Sequence, residues 1–368
     1  MKKTILYIIP HLQSTGPVQQ LYNLVKNLDM EFFIPKILTL YHERQNSMVT
    51  SFEQLGIEVL RLNARKKDLI GCMVGIQRTI NSLHPDIIHT ETAVADILYY
   101  FVLFKKKVPW VTTIHNYAYE DFPMAYGKLV GLILANFSVY AEEKANARVA
   151  CSKTVCEKYE SNKKFSLQYI QNGVDTDTWN TINKTLIRDR VRKQYNIADD
   201  AFIIISTGAL IDRKNPLFLI DNIKKCNISN AVLLILGDGP LKKKCLEHSG
   251  GLNVVFTGRV NNVKDYLLAS DLFVSASKSE GLPMAVLEAL ACGVFCLLSD
   301  ISQHIEIAEK VNDGINLYSL GDEQSFISAL SLIKEQNRKS DGYNLVDFDA
   351  KVMASKYQDI YKHFECDI

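Results

Sequence analysis

Short runs of apolar, largely β-branched residues recur along the chain at 4–9, 36–40, 86–89, 111–114, 147–151 and 168–170. A second series follows at 202–207, 232–236, 254–256, 272–275 and 295–298. Each run precedes a longer stretch with helical spacing. Runs that lack polar alternation suit strands covered on both faces, as in parallel sheets. Their alternation with helices predicts βαβ units. Two series predict an α/β chain with two doubly wound, Rossmann-like sheets. Between them, residues 177–200 are polar and hold one charged helical stretch at 186–195, so the expected boundary lies near 178–185. The domains are then 1–180 and 181–349. In a final helix at 350–364, Val352, Met353, Tyr357, Ile360, Tyr361 and Phe364 form one face that must pack.

Composition narrows the class. With 47% hydrophobic residues among 368, the chain can fill two cores, which excludes disorder as its main state. Its formal net charge of +1 gives no overall basic field for nucleic acid. Cysteines at 72, 151, 156, 226, 245, 292, 296 and 366 form no CxxC pair. They are expected to be reduced, mostly buried thiols of a cytoplasmic protein, without metal-ligand spacing. The apolar run 5–9 is too short for a signal segment and reads as a first strand. The longest apolar stretches, 94–104 (interrupted by Asp96) and 129–137, fall short of the ~18 residues of a spanning helix. The chain is thus expected to be soluble or to lie on a membrane without crossing it.

Ligands of open α/β sheets sit beyond the carboxyl ends of strands, so the loops after strands are where chemistry is sought. The richest is SEGLPMAVLEALACGVFCLLSD at 279–300. Glu280 precedes a helix that begins near Pro283, and Glu288 projects from that helix. The N–H groups of the first helical turn, together with the helix dipole, make an anion site. Two carboxylates beside it suit sugar and ribose hydroxyls, the plain alternative being a cap and a solvated charge. Arg213 and Lys214 follow the turn Ser206-Thr207-Gly208 and can neutralise a diphosphate, unless they are only a solvated surface pair. His115 comes directly after a strand, beside Asn116.

These segments resemble the E-x7-E signature of the family 4 retaining glycosyltransferases, which have the GT-B fold. Supporting matches are FIIISTGALIDRKNP at 202–216, LGDGP at 236–240, FTGRV at 256–260, YIQNGVD at 169–175 and Thr113-Ile114-His115-Asn116. The resemblance covers nearly the whole chain. It implies two facing Rossmann-like domains with a cleft between them, and a terminal segment, 350–368, that packs back on the first domain. It implies that Arg213 and Lys214 hold the donor diphosphate together with Gly16 and the main chain around Leu282, Pro283 and Met284, where Pro283 itself has no N–H to give. Glu288 would take the ribose, Gly258, Arg259 and Val260 would border the nucleobase, and Glu280 would meet the donor sugar. The matching His115 would donate to the sugar or the reaction centre, without acting as a covalent nucleophile. Retention would proceed by front-face attack, with no cofactor and no catalytic metal. The chain departs from the family where Thr15-Gly16-Pro17 stands for two adjacent glycines, and at Ala209, where an arginine is common.

The expected function is transfer of a sugar from a nucleotide sugar, UDP favoured over GDP, to a hydroxyl of a glycan or undecaprenyl-diphosphate-linked acceptor in bacterial surface polysaccharide assembly. Asn116, Tyr117 and Tyr119 are expected on the acceptor side. The aromatic and apolar stretch 116–137 and the basic runs 65–67, 105–107 and 163–164 suit peripheral contact with the inner face of the cytoplasmic membrane. The plain alternative is a buried helix with solvated lysines. Asp175-Thr176-Asp177 copies the metal-binding DxD of the other large glycosyltransferase fold, but its place at a domain boundary suits a turn or cap. Competing readings are a GT-B sugar-nucleotide epimerase, which would need further carboxylates, and an inactive partner subunit, which would not need Glu280, Glu288, Arg213 and Lys214. NAD-linked reduction lacks a full GxGxxG after the first strand.

Overall fold

The computed structural model describes residues 2–44, 46–103, 108–163, 166–179, 183–311, 313–336 and 343–364. Two all-parallel sheets organise it. The first contains β1 (Lys3–Ile9), β2 (Phe33–Tyr41), β3 (Glu58–Ala64), β4 (Ile87–Glu91), β5 (Trp110–Ile114), β6 (Ala147–Ala150) and β7 (Gln168–Tyr169), in the order β3-β2-β1-β4-β5-β6-β7. The second contains β8 (Phe202–Thr207), β9 (Ala231–Leu236), β10 (Val254–Gly258), β11 (Leu272–Ser275), β12 (Phe295–Ser299) and β13 (Ile315–Tyr318), in the order β10-β9-β8-β11-β12-β13. Strand order reverses between β1 and β4 and between β8 and β11, the places where open α/β sheets bind ligands.

The central strands show why apolar runs mark them. Along β1, Ile5, Tyr7 and Ile9 join one cluster with Leu21 and Leu24, while Leu6 and Ile8 join another with Ile76 and Trp110. Successive side chains point to opposite faces, so a strand covered on both sides must be apolar throughout. Burying each such side chain stabilises by about 1.5–3 kcal/mol. All eleven expected strands are present. β3 and β13 were not anticipated, and both lie at sheet edges. Glu58 and Arg61 of β3 are exposed, and only Tyr318 of β13 is fully buried. An edge strand with solvated positions has no continuous apolar run to find.

The chain forms two compact units, Met1–Gly173 with Ala350–Ile368, and Val174–Asp349. Within the second, the Val174 N–H donates to Phe348 O at 2.8 Å and Val174 bridges Asp349. Part of the expected boundary, 180–182, lies outside the described residues. The helix Lys184–Gln194 is tied to the second sheet where Arg188 donates to Asp271 at 2.8 Å. The final helix, Ala350–His363, buries Met353, Ala354, Tyr357 and Tyr361 against the cluster of Tyr7. Val352, expected on this face, is exposed. One residue is a step of about 100°, which carries it off the stripe begun by Met353. Among the described residues no helix is long and apolar enough to cross a membrane.

Candidate functional site

In the unit Val174–Asp349, the turns beyond β8, β9 and β10 interlock. Gly208 (φ +139°) and Gly237 (φ +147°) adopt conformations that disfavour other residues. A Cβ on Gly237 would come within 1.8 Å of Gly208 O. The Gly208 N–H donates to Leu236 O and the Gly237 N–H to Gly258 O, at 2.9 and 2.8 Å. Beyond them Asp212–Lys214 forms a 3-10 turn, and Asn215, left-handed at φ +51°, starts the helix Pro216–Cys226. This brings Lys214 over a small cavity lined by Ser206, Thr207, Gly208, Ser275 and Ser277. The cavity lies where β8 meets β11, at the reversal of strand order.

The loop after β11 supplies the counter-charge. Arg213 Nη1 donates to Glu280 Oε2 at 2.9 Å and to Ser279 O at 2.7 Å, and Lys214 Nζ donates to Glu280 Oε1 at 2.5 Å. Burial would push the Glu280 carboxyl up, but Lys214 and Arg213 outweigh it and hold it down at about 2. The cations are therefore not a solvated surface pair. They form one cluster with the carboxylate, where the sequence suggested separate roles. The loop continues through buried Gly281, Leu282 and Pro283 into the helix Met284–Ala291. Val286 and Leu287 donate back to Pro283 O. The first turn of a helix offers N–H groups with no intrahelical partner.

Glu288 lies on that helix, buried rather than solvated, and burial pushes its carboxyl up to about 8. One carboxyl of the motif is thus ionised and the other neutral at pH 7, the second able to donate as well as accept. The linkage gives a prediction. Glu288 is protonated in the fold and ionised in the unfolded chain between pH ~4.5 and ~8, so its contribution to stability is complete below that window and falls as pH rises through it. The Tm of the wild type relative to Glu288→Gln should fall across this window and level off above it. A difference independent of pH would show Glu288 to be ionised in the fold.

Three residues of this region carried no sequence signal. Ser299 Oγ donates to Ser277 O at 2.7 Å, joining the loops after β11 and β12. His304 places Nδ1 2.8 Å from Ser299 O, and burial pushes the imidazole down to about 4, so it is neutral. The Ser299–Ser277 contact depends on which loops meet, which spacing alone does not tell. Of the residues expected to border the nucleobase, Gly258 has its carbonyl taken by the Gly237 N–H, Arg259 is exposed and Val260 is half-buried.

In the unit Met1–Gly173, His115 follows β5, and its Nε2 lies 2.6 Å from Glu91 Oε2, at the end of β4. Both side chains are buried, Glu91 completely. Beside them, His89 contacts Tyr361 OH through Nδ1 at 2.6 Å and Thr113 Oγ1 through Nε2 at 2.7 Å. Tyr357 OH lies 2.9 Å from Thr113 Oγ1, and Tyr7 OH 3.1 Å from Tyr361 OH. Sequence reasoning missed His89 and Glu91. Their signal was the spacing: His-Thr-Glu and Thr-Ile-His end neighbouring strands, and Glu91 pairs in register with Thr113. Gly16, expected to help hold the donor diphosphate, belongs to a helix rather than to the loop after β1. It is the first residue of the helix Gly16–Lys26, with Thr15 as N-cap, because Pro17 is preorganised for a first helical turn.

Comparison with known proteins identifies the chemistry. Residues 15–178 match the profile described as Glycosyltransferase Family 4, and residues 187–343 the profile described as Glycosyl transferases group 1. The chain belongs to the family 4 glycosyltransferases. The UDP-Gal:alpha-D-GlcNAc-diphosphoundecaprenol alpha-1,3-galactosyltransferase of Escherichia coli is 27% identical over 315 residues, 78% of each chain. The O-antigen biosynthesis glycosyltransferase WclY of Escherichia coli is 23% identical over 76% of this chain and 79% of its own. Anabaena HepE, solved with UDP-glucose, superposes with a TM-score of 0.82 at 17% identity, covering 98% of this chain and 99% of that one. The glycosyltransferase has the GT-B fold, with two Rossmann-like parallel sheets.

The residues expected on the acceptor side of the glycosyltransferase are partly committed to packing. Tyr117 is buried, its ring 5.1 Å from Tyr159 and 5.5 Å from Tyr119. Asn116 O accepts from Tyr159 OH, and Tyr119 OH donates to Asn136 at 2.9 Å. The helix Lys128–Glu142 is not the buried helix of the plain alternative. It exposes Leu129 (75%), Val130, Ile133 (62%), Phe137 and Tyr140 along one face. Lys144 lies 4.7 Å over the Tyr140 ring. Of the basic runs, Arg65–Lys67 is exposed, while 105–107, Lys164 and the side chain of Lys163 lie outside the described residues. Asp175-Thr176-Asp177 leads into the short helix Thr176–Trp179, where Thr176 Oγ1 donates to Asp349 at 3.1 Å.

Proposed function

We propose that the enzyme transfers a sugar from a UDP-sugar to a hydroxyl of an undecaprenyl-diphosphate-linked glycan, with retention and without a catalytic metal, in bacterial surface polysaccharide assembly. The observation that carries this reading is the convergence of Arg213 and Lys214 on buried Glu280, next to a helix start at the reversal of strand order. The diphosphate gains charge as the glycosidic bond breaks. Cations and N–H groups fixed in advance stabilise that charge without reorganising, and one such donor is worth roughly 3–4 kcal/mol. In this reading the diphosphate draws Lys214 and Arg213 partly away from Glu280 and lies over the N–H groups at the start of the helix Met284–Ala291. Glu280 meets the donor sugar, and Glu288 exchanges hydrogen bonds with the ribose. Backbone groups of Gly258, Arg259 and Val260 border the base, and His115 donates to a sugar hydroxyl. The names of the relatives support the substrate class: the Escherichia coli galactosyltransferase acts on a diphosphoundecaprenol acceptor, and HepE was solved with UDP-glucose.

The test is transfer by the full chain from UDP-galactose, UDP-glucose and UDP-N-acetylglucosamine to undecaprenyl-diphosphate-linked N-acetylglucosamine, with EDTA present. An α-linked product, read from the anomeric proton coupling, is expected from one of these donors. A β-linked product contradicts retention, loss of activity in EDTA contradicts metal independence, and transfer only from GDP-sugars contradicts the donor. A lipid-linked acceptor also calls for membrane contact, for which the exposed apolar face of the helix Lys128–Glu142 is suited. Flotation with anionic vesicles should carry the protein upward, and Ile133→Glu should abolish this while leaving turnover of a water-soluble acceptor unchanged. Equal flotation of the variant, or none of the wild type, would remove the membrane from the account.

A further inference from the structure

Glu91 is a buried acid with too few partners. Its Oε2 is held by His115 Nε2 at 2.6 Å, while its Oε1 is sealed from solvent without a hydrogen bond, 3.5 Å from His89 Nε2. That nitrogen of His89 is committed to Thr113 at 2.7 Å. A buried carboxylate of this kind persists only if a positive charge or a proton offsets it. The titratable groups around it leave one source. Burial pushes His89 down to about 3, so it is neutral. Tyr7 on β1 and Tyr357 and Tyr361 on the final helix are raised by burial and stay neutral hydroxyls. Cys151, beyond β6, is a thiol that donates to His115 O, and Asp96, on the helix Ala93–Val102, is itself an acid raised by burial. Among the described residues no lysine or arginine pairs with Glu91, so the compensating proton is one it shares with His115 across their 2.6 Å contact.

We propose that Glu91 is a positioning residue which, as a net-neutral pair with His115, keeps a hydrogen on His115 Nδ1 and offers it to a substrate oxygen. The proton count gives this directly. The pair is neutral either as carboxylate and imidazolium or as carboxylic acid and imidazole. In the first, both ring nitrogens carry hydrogen. In the second, the acid O–H donates to Nε2, and the imidazole hydrogen sits on Nδ1. Both arrangements leave Nδ1 a donor. Removing the shared proton would bare Nδ1 and leave a net negative charge where water does not reach Glu91. Among the described residues nothing hydrogen-bonds Nδ1, and His115, at 9% exposure, is the member of the pair nearer solvent. The carboxylate thus makes a donor of a ring that would otherwise present a bare nitrogen in one of its two neutral tautomers. The hydrogen suits a sugar hydroxyl or a phosphate oxygen, and it is donated, not transferred.

The inference rests on the reading of His115 as substrate-facing, and the experiment separates the two. The dependence of kcat on pH is measured for the full chain and for Glu91→Gln, Glu91→Asp and His115→Gln, alongside ring-15N NMR of labelled histidine, with His115→Gln assigning the signal. For Glu91→Gln, kcat at pH 7.5 should fall about tenfold with the donor KM within about threefold, and the alkaline limb should shift down by about one pH unit or vanish. The His115 ring should carry hydrogen on Nδ1 in the wild type and lose its shared Nε2 hydrogen, or its Nδ1 hydrogen, in Glu91→Gln. Glu91→Asp, which keeps the charge, should recover part of the limb and the wild-type signal, and it decides the matter if Glu91→Gln does not fold. If His115→Gln is inactive while Glu91→Gln keeps the wild-type limb and ring signal, Glu91 only packs and the inference fails. If His115→Gln is fully active, the reading of His115 itself fails.

Discussion

Lys214→Ala should lower kcat at least about a hundredfold while donor still binds, the loss expected when one fixed donor to a developing charge is removed. In the free enzyme Lys214 shares Glu280 with Arg213. Without the lysine, Arg213 keeps the carboxylate paired, so the loop after β11 should hold its shape and binding should weaken less than turnover. Lys214→Arg should recover only part of the loss. The ammonium reaches Glu280 beside the existing guanidinium as a point charge, and a second planar fork does not fit one carboxylate in the same way. Steady-state kinetics with calorimetric donor binding checks this. A kcat loss under about fivefold would remove Lys214 from the reaction, since no donor at the leaving group is worth so little.

Glu280→Gln should have the second largest effect, visible in stability as well as rate. With its acid held at about 2 in the fold and near 4.5 when unfolded, Glu280 contributes stability that is present above pH ~4.5 and is lost as pH falls toward ~2. The displacement corresponds to about 3 kcal/mol at most, and to rather less because the arginine and lysine side chains are 19% and 23% exposed. The Tm of the wild type should therefore exceed that of Glu280→Gln at pH 7, and the gap should close on acidification. Activity should fall at least about tenfold, because two cations left without their carboxylate repel each other and lose the geometry that receives the diphosphate. A Tm gap unchanged from pH 3 to pH 7 would show that charge pairing does not hold this loop.

The central strands announced themselves because burial on both faces demands continuous apolar residues, as in β1, β8 and β12. The edge strands β3 and β13 did not, because solvent on one side relaxes that demand. Residues whose chemistry depends on local spacing were found from sequence: Arg213 and Lys214 in one turn, Glu280 before a helix and Glu288 within it. What stayed hidden was pairing. The placement of Glu280 between the two cations, Ser299 against Ser277, and Glu91 against His115 are contacts made by strand order, between residues 22 to 67 apart in the chain. The register of two parallel strands placed His89, Glu91, Thr113 and His115 together, and no single segment carries that register. Val352 shows the opposite limit, a helical face drawn one residue too wide.

The central claim is that the diphosphate of the donor is held by Lys214, Arg213 and the start of the helix Met284–Ala291. A crystal structure of the enzyme soaked with a UDP-sugar tests it most directly. The account predicts phosphate oxygens within hydrogen-bond distance, about 2.7–3.2 Å, of Lys214 Nζ and of a backbone N–H between Leu282 and Ala285. Diphosphate density away from both, with Lys214 still closed on Glu280, would contradict it.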